Sequence, residues 1–270
     1  VEHLFAGDKR WQVFDRKKFE TDYELHTLIA SPNRGEQLLN PTGAHLMDLG
    51  FHYYAQTALI PADYNFLPEI SYRSGKDWGL PEKYAIFTPG ATSMNRIFLP
   101  NAFNELARYT ASLGVTPVFL GKKDINEVYK AKFHDDYDLS LGLDLREQTT
   151  LLEAIEIMGK ARFVIGIDNG LLHLAGTTKV PIIFGHNISP VEHRKIRRRN
   201  GLTVDISVPE KQLACIGCQA KMRFVYRQRF SRCIYDDNKC LELLFKNIEG
   251  WRQAIRQCLN ETNKPKWWKR

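Results

Sequence analysis

The chain of 270 residues is long enough for two domains or one large α/β unit. With 43% hydrophobic, 26% charged and 11% aromatic residues it is neither a disordered nor a collagen-like chain, and no apolar run approaches the roughly 20 residues needed to cross a bilayer. Thirty-eight Lys and Arg against 31 Asp and Glu leave a net charge of +7, which favours anionic partners without choosing among phosphorylated substrates, nucleic acid and acidic lipid.

Val1 opens the sequence, and nothing near it has the basic, apolar and small-residue succession of a secretory signal, so the protein is expected in the cytoplasm. Residues 1–80 are irregular, broken by Pro32, Pro41, Pro61 and Pro68, with one helix expected over Leu46–Ala58. From Tyr84 the texture changes to short β-rich runs, each closed by Gly or a turn and followed by helical periodicity, as in βαβ units. The first strand is Tyr84–Thr88, followed by Pro89-Gly90 and a helix from Pro100 with Phe103, Leu106, Ala107 and Leu113 on one face. Pro117–Leu120 and Gly121 lead to a helix carrying Ile125, Val128 and Tyr129. A helix over Gln148–Lys160, with Leu151, Ile155 and Met158 inward, precedes the strand Phe163–Ile167 and the turn Asp168-Asn169-Gly170. A short helix from Leu171, a strand over Val180–Phe184 and another over Leu202–Ile206 follow. Strands with so little polar alternation suggest a parallel sheet covered on both faces, which binds ligands beyond the carboxyl ends of its strands. One long closing helix is expected over residues 241–259, because Leu241, Leu244, Ile248, Trp251, Ile255 and Cys258 recur at spacings of three and four; a basic tail, 260–270, ends the chain.

Three polar segments fall at strand ends. In Asp168-Asn169-Gly170-Leu-Leu-His173, a turn opens a helix: Asp168 and His173 are candidate catalytic groups, and Asn169 and Gly170 candidate ligand contacts at a phosphate-favouring helix start. The alternative is a capping turn with a core histidine. In the loop after the first strand, Gly90, Thr92, Ser93, Asn95 and Arg96 offer close backbone approach and donors suited to a diphosphate, or merely join a strand to a helix. Gly185, His186 and Asn187 form the third, running into Arg194-Lys195-Ile196-Arg197-Arg198-Arg199, a solvated basic run or a contact for an acidic acceptor or membrane surface.

Cysteine spacing is the most specific local signal. Cys215 and Cys218 stand in a knuckle spacing, with Cys233 and Cys240 after them, so a metal finger over 213–242 holding one structural Zn or Fe is expected; two disulfides or uncoordinated thiols are the alternatives. Cys258 belongs to the apolar face of the last helix.

These motifs resemble the donor-binding half of glycosyltransferase family nine, the heptosyltransferase-type enzymes of the GT-B fold. Asp168-Asn169-Gly170-Leu171-Leu172-His173-Leu174-Ala175 matches the family's Asp-Ser-Gly-x-x-His-x-Ala, Pro89-Gly90 through Arg96 to Pro100 its early loop, and Phe184-Gly185-His186-Asn187-Ile188-Ser189-Pro190 its Phe-Gly-x-Thr-x-Pro segment. The family's Lys in the early loop is here Asn95 beside Arg96. The four-cysteine insert resembles that of autotransporter heptosyltransferases, which modify proteins.

The resemblance implies a GT-B-like α/β protein in which 81–258 is a Rossmann-type nucleotide-sugar domain and 1–80 a reduced or partial acceptor-side domain. It also implies transfer of a heptose-like sugar from a nucleotide diphosphate sugar to an acceptor hydroxyl, with inversion and no catalytic metal. The acceptor would be an anionic glycoconjugate such as lipopolysaccharide, a protein or modified DNA, and the enzyme would work at the inner face of the membrane. The catalytic base would lie in the N-terminal part, where Asp8 is the nearest candidate. A rival class is a nucleic-acid-binding protein that uses the cysteine finger, the basic run and Arg223, Phe224, Tyr226, Arg227, Arg229 and Arg232.

Overall fold

In a computed structural model, the structure describes residues 69–91, 94–123, 137–216, 233 and 237–263. The chain divides into two compact units, Val1–Asn65 and Phe66–Arg270. The first unit lies outside the described residues, and with it the expected helix over Leu46–Ala58 and Asp8.

Within the second unit, six described strands form one parallel sheet: β1 (Tyr84–Thr88), β2 (Thr116–Phe119), β3 (Leu143–Asp144), β4 (Val164–Ile167), β5 (Ile182–His186) and β6 (Thr203–Ser207), in the order β3-β2-β1-β4-β5-β6. All five pairings are parallel. The helices are α1 (Pro100–Ser112), α2 (Leu151–Lys160), α3 (Gly170–Ala175), α4 (Val191–Arg194), α5 (Lys239–Lys246) and α6 (Ile248–Asn263). Residues 69–83 run along this unit, anchored by Ile70 N–H to the Thr177 carbonyl (2.9 Å) and by Ser74, whose N–H and hydroxyl both donate to Glu156 at 2.8 Å.

The sheet forms because its central strands are apolar on both sides: β1, β4 and β5 are buried throughout. One face packs Phe87, Ile165 and Ile183 against Phe103 and Leu106 of α1 and Trp251, Ile255 and Cys258 of α6. Trp251 is fully buried and donates from Nε1 to the Leu244 carbonyl (3.1 Å), so the indole's polar edge is satisfied where its rings fill the core. On the other face, α3 lies against β4, with Gly166 leaving room for Thr88 and Leu172; a Cβ there would fall 2.0 Å from Thr88 Oγ1.

Several elements differ from the sequence expectation. Strand β3 has two residues, too few for any periodic signal, and was not foreseen. Strand β5 starts two residues later than expected and runs on through Gly185 to His186, because this whole stretch is buried and pairs with β6 as far as Ser207. Helix α2 begins at Leu151, not Gln148. Thr150 caps it in a reciprocal box with Glu153, leaving Leu151 46% exposed instead of inward. Leu113 likewise is the exposed C-cap of α1. The single closing helix is two, since Asn247 takes a non-helical conformation and its side chain accepts from Gly250 N–H (3.2 Å), starting α6 afresh. The expected helix at Ile125, Val128 and Tyr129 and the tail 264–270 lie outside the described residues.

Candidate active site

Strand order reverses between β1 and β4, and their carboxyl ends meet there, which is where an open α/β sheet leaves a crevice for a ligand. Asn169 ties the two ends together. Its Nδ2 donates to Thr88 Oγ1 (3.0 Å), while its Oδ1 accepts from Leu172 N–H (3.1 Å) and caps α3. Its side chain is therefore committed to the fold, and the ligand contact expected of it from the sequence is not available from that amide.

Asp168, one residue earlier, is held beside the crevice with its side chain only 4% exposed. Oδ1 lies 3.0 Å from His173 Nε2, and Oδ2 lies 3.4 Å from Arg96 Nη1 and 3.9 Å from Arg194 Nε. Burial alone would raise this carboxyl's pKa, but the hydrogen bond from His173 and the charges of Arg194, His173 and Arg96 outweigh it and hold the group well below the ordinary carboxylate range. Asp168 is thus ionised and accepts only, so His173 carries its proton on Nε2. The His173 ring stays 41% exposed and meets Phe184 edge-on at 5.5 Å. Gly170 is exposed, its φ is not in the left-handed region, and a Cβ there would meet nothing within 4 Å. Among the described residues, neither backbone strain nor a neighbouring atom excludes a Cβ at this position.

The other polar segments resolve differently. Gly185 sits inside β5 and makes room for the core: a Cβ would lie 2.8 Å from Trp251 Cη2 and 3.3 Å from Leu244 Cδ2, so it serves packing, not ligand approach. His186 is buried, stacked on Phe184 at 4.0 Å, and its Nε2 is 2.7 Å from Asp205 Oδ1. Asn187 is buried as well. Its amide nitrogen donates to the Asn95 carbonyl and, at 3.5 Å, to Cys240 Sγ, so it braces the early loop against the start of α5, while its Oδ1 is buried without a hydrogen bond. Asn95 itself is buried, Arg96 reaches Asp168, and Gly90 is half-buried at the end of β1; Thr92 and Ser93 lie outside the described residues.

The basic run is not one solvated patch. Arg194 turns to Asp168, Lys195 pairs with Glu192, and Arg198 donates to the carbonyls of Val180 (2.6 Å) and Leu202. Burial lowers the Arg198 pKa to about 10 without removing its charge. The approach of Arg194 to Asp168 is not foretold by its place in the basic run, because it brings together segments distant in sequence.

Among the described residues, no group of three or more His, Cys, Asp and Glu side chains is arranged to hold a metal ion. Cys218 and the stretch 217–232, including Arg223 to Arg232, lie outside them. Of the other thiols in the proposed finger, Cys240 is buried beside Asn187, and Cys233 Sγ is 3.7 Å from Asp237 Oδ1. No described helix is long and apolar enough to cross a membrane.

At the switch point of this parallel α/β sheet an Asp-x-Gly-x-x-His turn and two guanidinium groups come together, an arrangement suited to an anionic ligand. Residues 56–205, more than half the chain, match the profile of glycosyltransferase family 9 (heptosyltransferase), and the chain belongs to that family. Three solved structures share the fold. The family 9 glycosyltransferase from Veillonella parvula DSM 2008 is 15% identical, with 83% of this chain covering 62% of that one at a TM-score of 0.54. TibC of enterotoxigenic E. coli, an iron-containing dodecameric heptosyltransferase in complex with ADP-D-β-D-heptose, is 16% identical over 68% of this chain and 47% of that one, TM-score 0.51. E. coli ADP-heptose LPS heptosyltransferase II is 15% identical over 76% and 56%, TM-score 0.51. The chain therefore spans less than two thirds of the length of each. No curated protein matches it in sequence.

Proposed function

We propose that this chain carries the donor-binding part of a glycosyltransferase that moves a heptose-like sugar from a nucleoside diphosphate sugar to an acceptor hydroxyl. The observation that carries this reading is the cluster of Asp168, His173, Arg96 and Arg194 at the switch point, a cationic crevice faced by an open glycine in a family 9 chain. The donor complex of TibC supports the donor class.

In the proposed reaction an acceptor oxygen attacks the anomeric carbon while the bond from that carbon to the diphosphate breaks on the opposite face, inverting the centre. The acceptor proton passes to a base outside the described residues, and the diphosphate leaves with the bonding electron pair. With Nε2–H held by the ionised Asp168, His173 acts on the leaving phosphate as imidazolium, donating from Nδ1–H, and the nearby guanidinium groups stabilise the charge that develops there. The acceptor we favour is a glycoconjugate of the lipopolysaccharide kind, used at the inner face of the membrane. A structural Zn or Fe on Cys215, Cys218, Cys233 and Cys240 belongs to the same proposal, supported by their spacing.

Calorimetric titration with ADP, GDP, UDP and CDP tests the reading. At least one should bind wild type, and folded His173→Ala should bind it about 1 to 3 kcal/mol more weakly, the range for one lost hydrogen bond to a charged or neutral group. Binding of none, or equal binding by the variant, would remove this site from the mechanism. Elemental analysis should find one Zn or Fe per chain, lost in Cys218→Ser; metal-free folded protein would overturn the finger.

A further inference from the structure

The carboxyl ends of the strands border the crevice; their amino ends carry a line of cations that the proposed reaction does not use. Lys83 directly precedes β1, Lys160 and Arg162 lie just before β4, Lys179 before β5, and Arg197 and Arg199 before β6, so four neighbouring strands are each entered through a basic segment. Backbone hydrogen bonds hold these entries side by side: Arg162 N–H donates to the Tyr84 carbonyl (2.8 Å), Val164 N–H to Pro181 (2.9 Å) and Ile182 N–H to Leu202 (2.9 Å). Lys83, Lys160, Lys179 and Arg199 are exposed. The acids on this edge are fewer and partly engaged: Glu156 is buried under Ser74 and Lys160, Glu69 accepts from Asn200, and Glu82 stands beside Lys83.

Helix α6 leads to the same edge. Near its start Trp251 packs on Gly185, toward the carboxyl end of β5. Two turns on, burial pushes the Cys258 thiol up to about 12 while the charge of Arg198 acts against the shift, and Arg198 itself donates to the Val180 and Leu202 carbonyls at the amino ends of β5 and β6. The helix therefore runs toward the basic edge before it ends at Asn263. In sequence the next residues are Lys264, Pro265, Lys266, Trp267, Trp268, Lys269 and Arg270, four cations and two adjacent tryptophans with no acid among them. Tryptophan flanked by lysine and arginine suits the bilayer interface, where the indole body enters the acyl boundary, its N–H stays among the headgroups and the cations meet anionic lipid. Cations alone would serve any polyanion; two neighbouring indoles in the same segment favour an apolar boundary beneath the charge.

We infer that the amino-terminal edge of the sheet and residues 264–270 together bind an anionic lipid bilayer, the edge cations attracting the headgroups and Trp267 and Trp268 entering the interface. Bound in this way, the crevice at the opposite ends of the strands stays clear of lipid and open to solutes. The basic run is thereby divided, Arg194 turning to the crevice and Arg197 and Arg199 belonging to the edge. The surface deepens the membrane location proposed above and rests on that reading for its purpose, while vesicle binding tests it independently of any donor.

The test is co-sedimentation of the full chain with vesicles of phosphatidylcholine alone and of phosphatidylcholine with an equal amount of phosphatidylglycerol, at low and high salt. The variants are Lys179→Glu with Arg199→Glu at the edge, Trp267→Ala with Trp268→Ala, and, as a control of equal charge, Lys122→Glu with Lys246→Glu, exposed cations just after β2 and at the end of α5. Folding is checked by melting temperature. Wild type should bind the anionic vesicles at least about tenfold more tightly than the neutral ones, less so at high salt, with a blue shift of tryptophan emission. The edge variant should lose about tenfold or more, the tryptophan variant should lose as much together with the blue shift, and the control should stay within about threefold of wild type. Equal binding to both kinds of vesicle, or undiminished anionic-vesicle binding by the edge variant or the tryptophan variant, overturns the assignment. So does a single-stranded oligonucleotide that wild type prefers to anionic lipid and that the same variants release. Should the edge variant fail to fold, Lys179→Gln with Arg199→Gln decides. If wild type binds vesicles but no nucleoside diphosphate, the donor reading falls and the membrane surface stands; diphosphate binding without vesicle binding overturns the surface alone.

Discussion

The turn at 168–173 and the segment at 185–187 look alike in sequence, each a glycine among polar residues at the carboxyl end of a buried strand, and the fold uses them in opposite ways. At the first, charged groups converge beside a glycine that faces open space. At the second, the glycine is pressed against Trp251, His186 is sealed between Phe184 and Asp205, and Asn187 bonds to Asn95 and Cys240. What separates them is exposure: the second segment is buried, with His186 Nδ1 and Asn187 Oδ1 making no hydrogen bond, whereas the first keeps an imidazole 41% exposed beside the Arg96 and Arg194 guanidinium groups that approach Asp168. A polar strand end is therefore a candidate site where its charged groups stay within reach of solvent.

The contrast breaks most visibly at the two glycines. Gly185→Ala forces a Cβ to within 2.8 Å of the Trp251 ring and should destabilise by about 1 to 3 kcal/mol, the range for overpacking a filled core, with Gly185→Val worse and largely unfolded in thermal melts. Gly170→Ala should leave the melting temperature nearly unchanged and lower nucleoside diphosphate affinity instead. A stable Gly185→Val, or a Gly170→Ala that melts early and binds normally, would reverse the roles assigned here. Next in size is His173→Ala, expected to cost about 1 to 3 kcal/mol in binding with the fold intact because its ring is largely exposed, whereas His186→Ala should lower the melting temperature through loss of the Phe184 stack and the Asp205 bond.

Much of the frame was legible from residues alone. Strand β1 falls where expected, since an apolar run closed by Pro89-Gly90 leaves little choice, and β4 begins one residue late. Two residues of β3 carry no period, and continuous burial of β5 erased the mark of its end. The split between α5 and α6 escaped notice because Asn247 interrupts the hydrogen bonding without interrupting the apolar spacing. In the site, Asp168 and His173 stand in one motif and Arg96 in a separate loop after β1, and the structure brings the two segments together. The function of Asn169 as a clamp on Thr88, and the turn of Arg194 away from its basic neighbours, depend on contacts between segments distant in sequence, which no local pattern records.

The smallest effect expected is in pH dependence, and its sign follows from the direction of one shift. Asp168 has a folded-state pKa below its ordinary value of 3.8, held down by His173, Arg194 and Arg96 against the opposing effect of burial. A depressed acid contributes stability that is fully present above its unfolded-state pKa and is lost as pH falls toward the folded-state value. Between pH 5 and 8 the carboxylate is ionised in both folded and unfolded chains. Over that window it should add no slope to stability or to diphosphate affinity, and the difference in melting temperature between wild type and Asp168→Asn should stay constant as far as this group is concerned. Below about pH 4 the unfolded chain begins to take up the proton that the folded site refuses, so wild type loses its advantage and the two curves converge. The Gly185–Asn187 segment predicts no such convergence for Asn187→Ala, because no ionised carboxylate is part of its bracing contacts with Asn95 and Cys240. Paired thermal melts from pH 3 to 8 distinguish the two regions. A wild-type advantage over Asp168→Asn that persists undiminished at pH 3, or that already fades at pH 6, would mean that Asp168 is not the charge-paired carboxylate at the centre of this site.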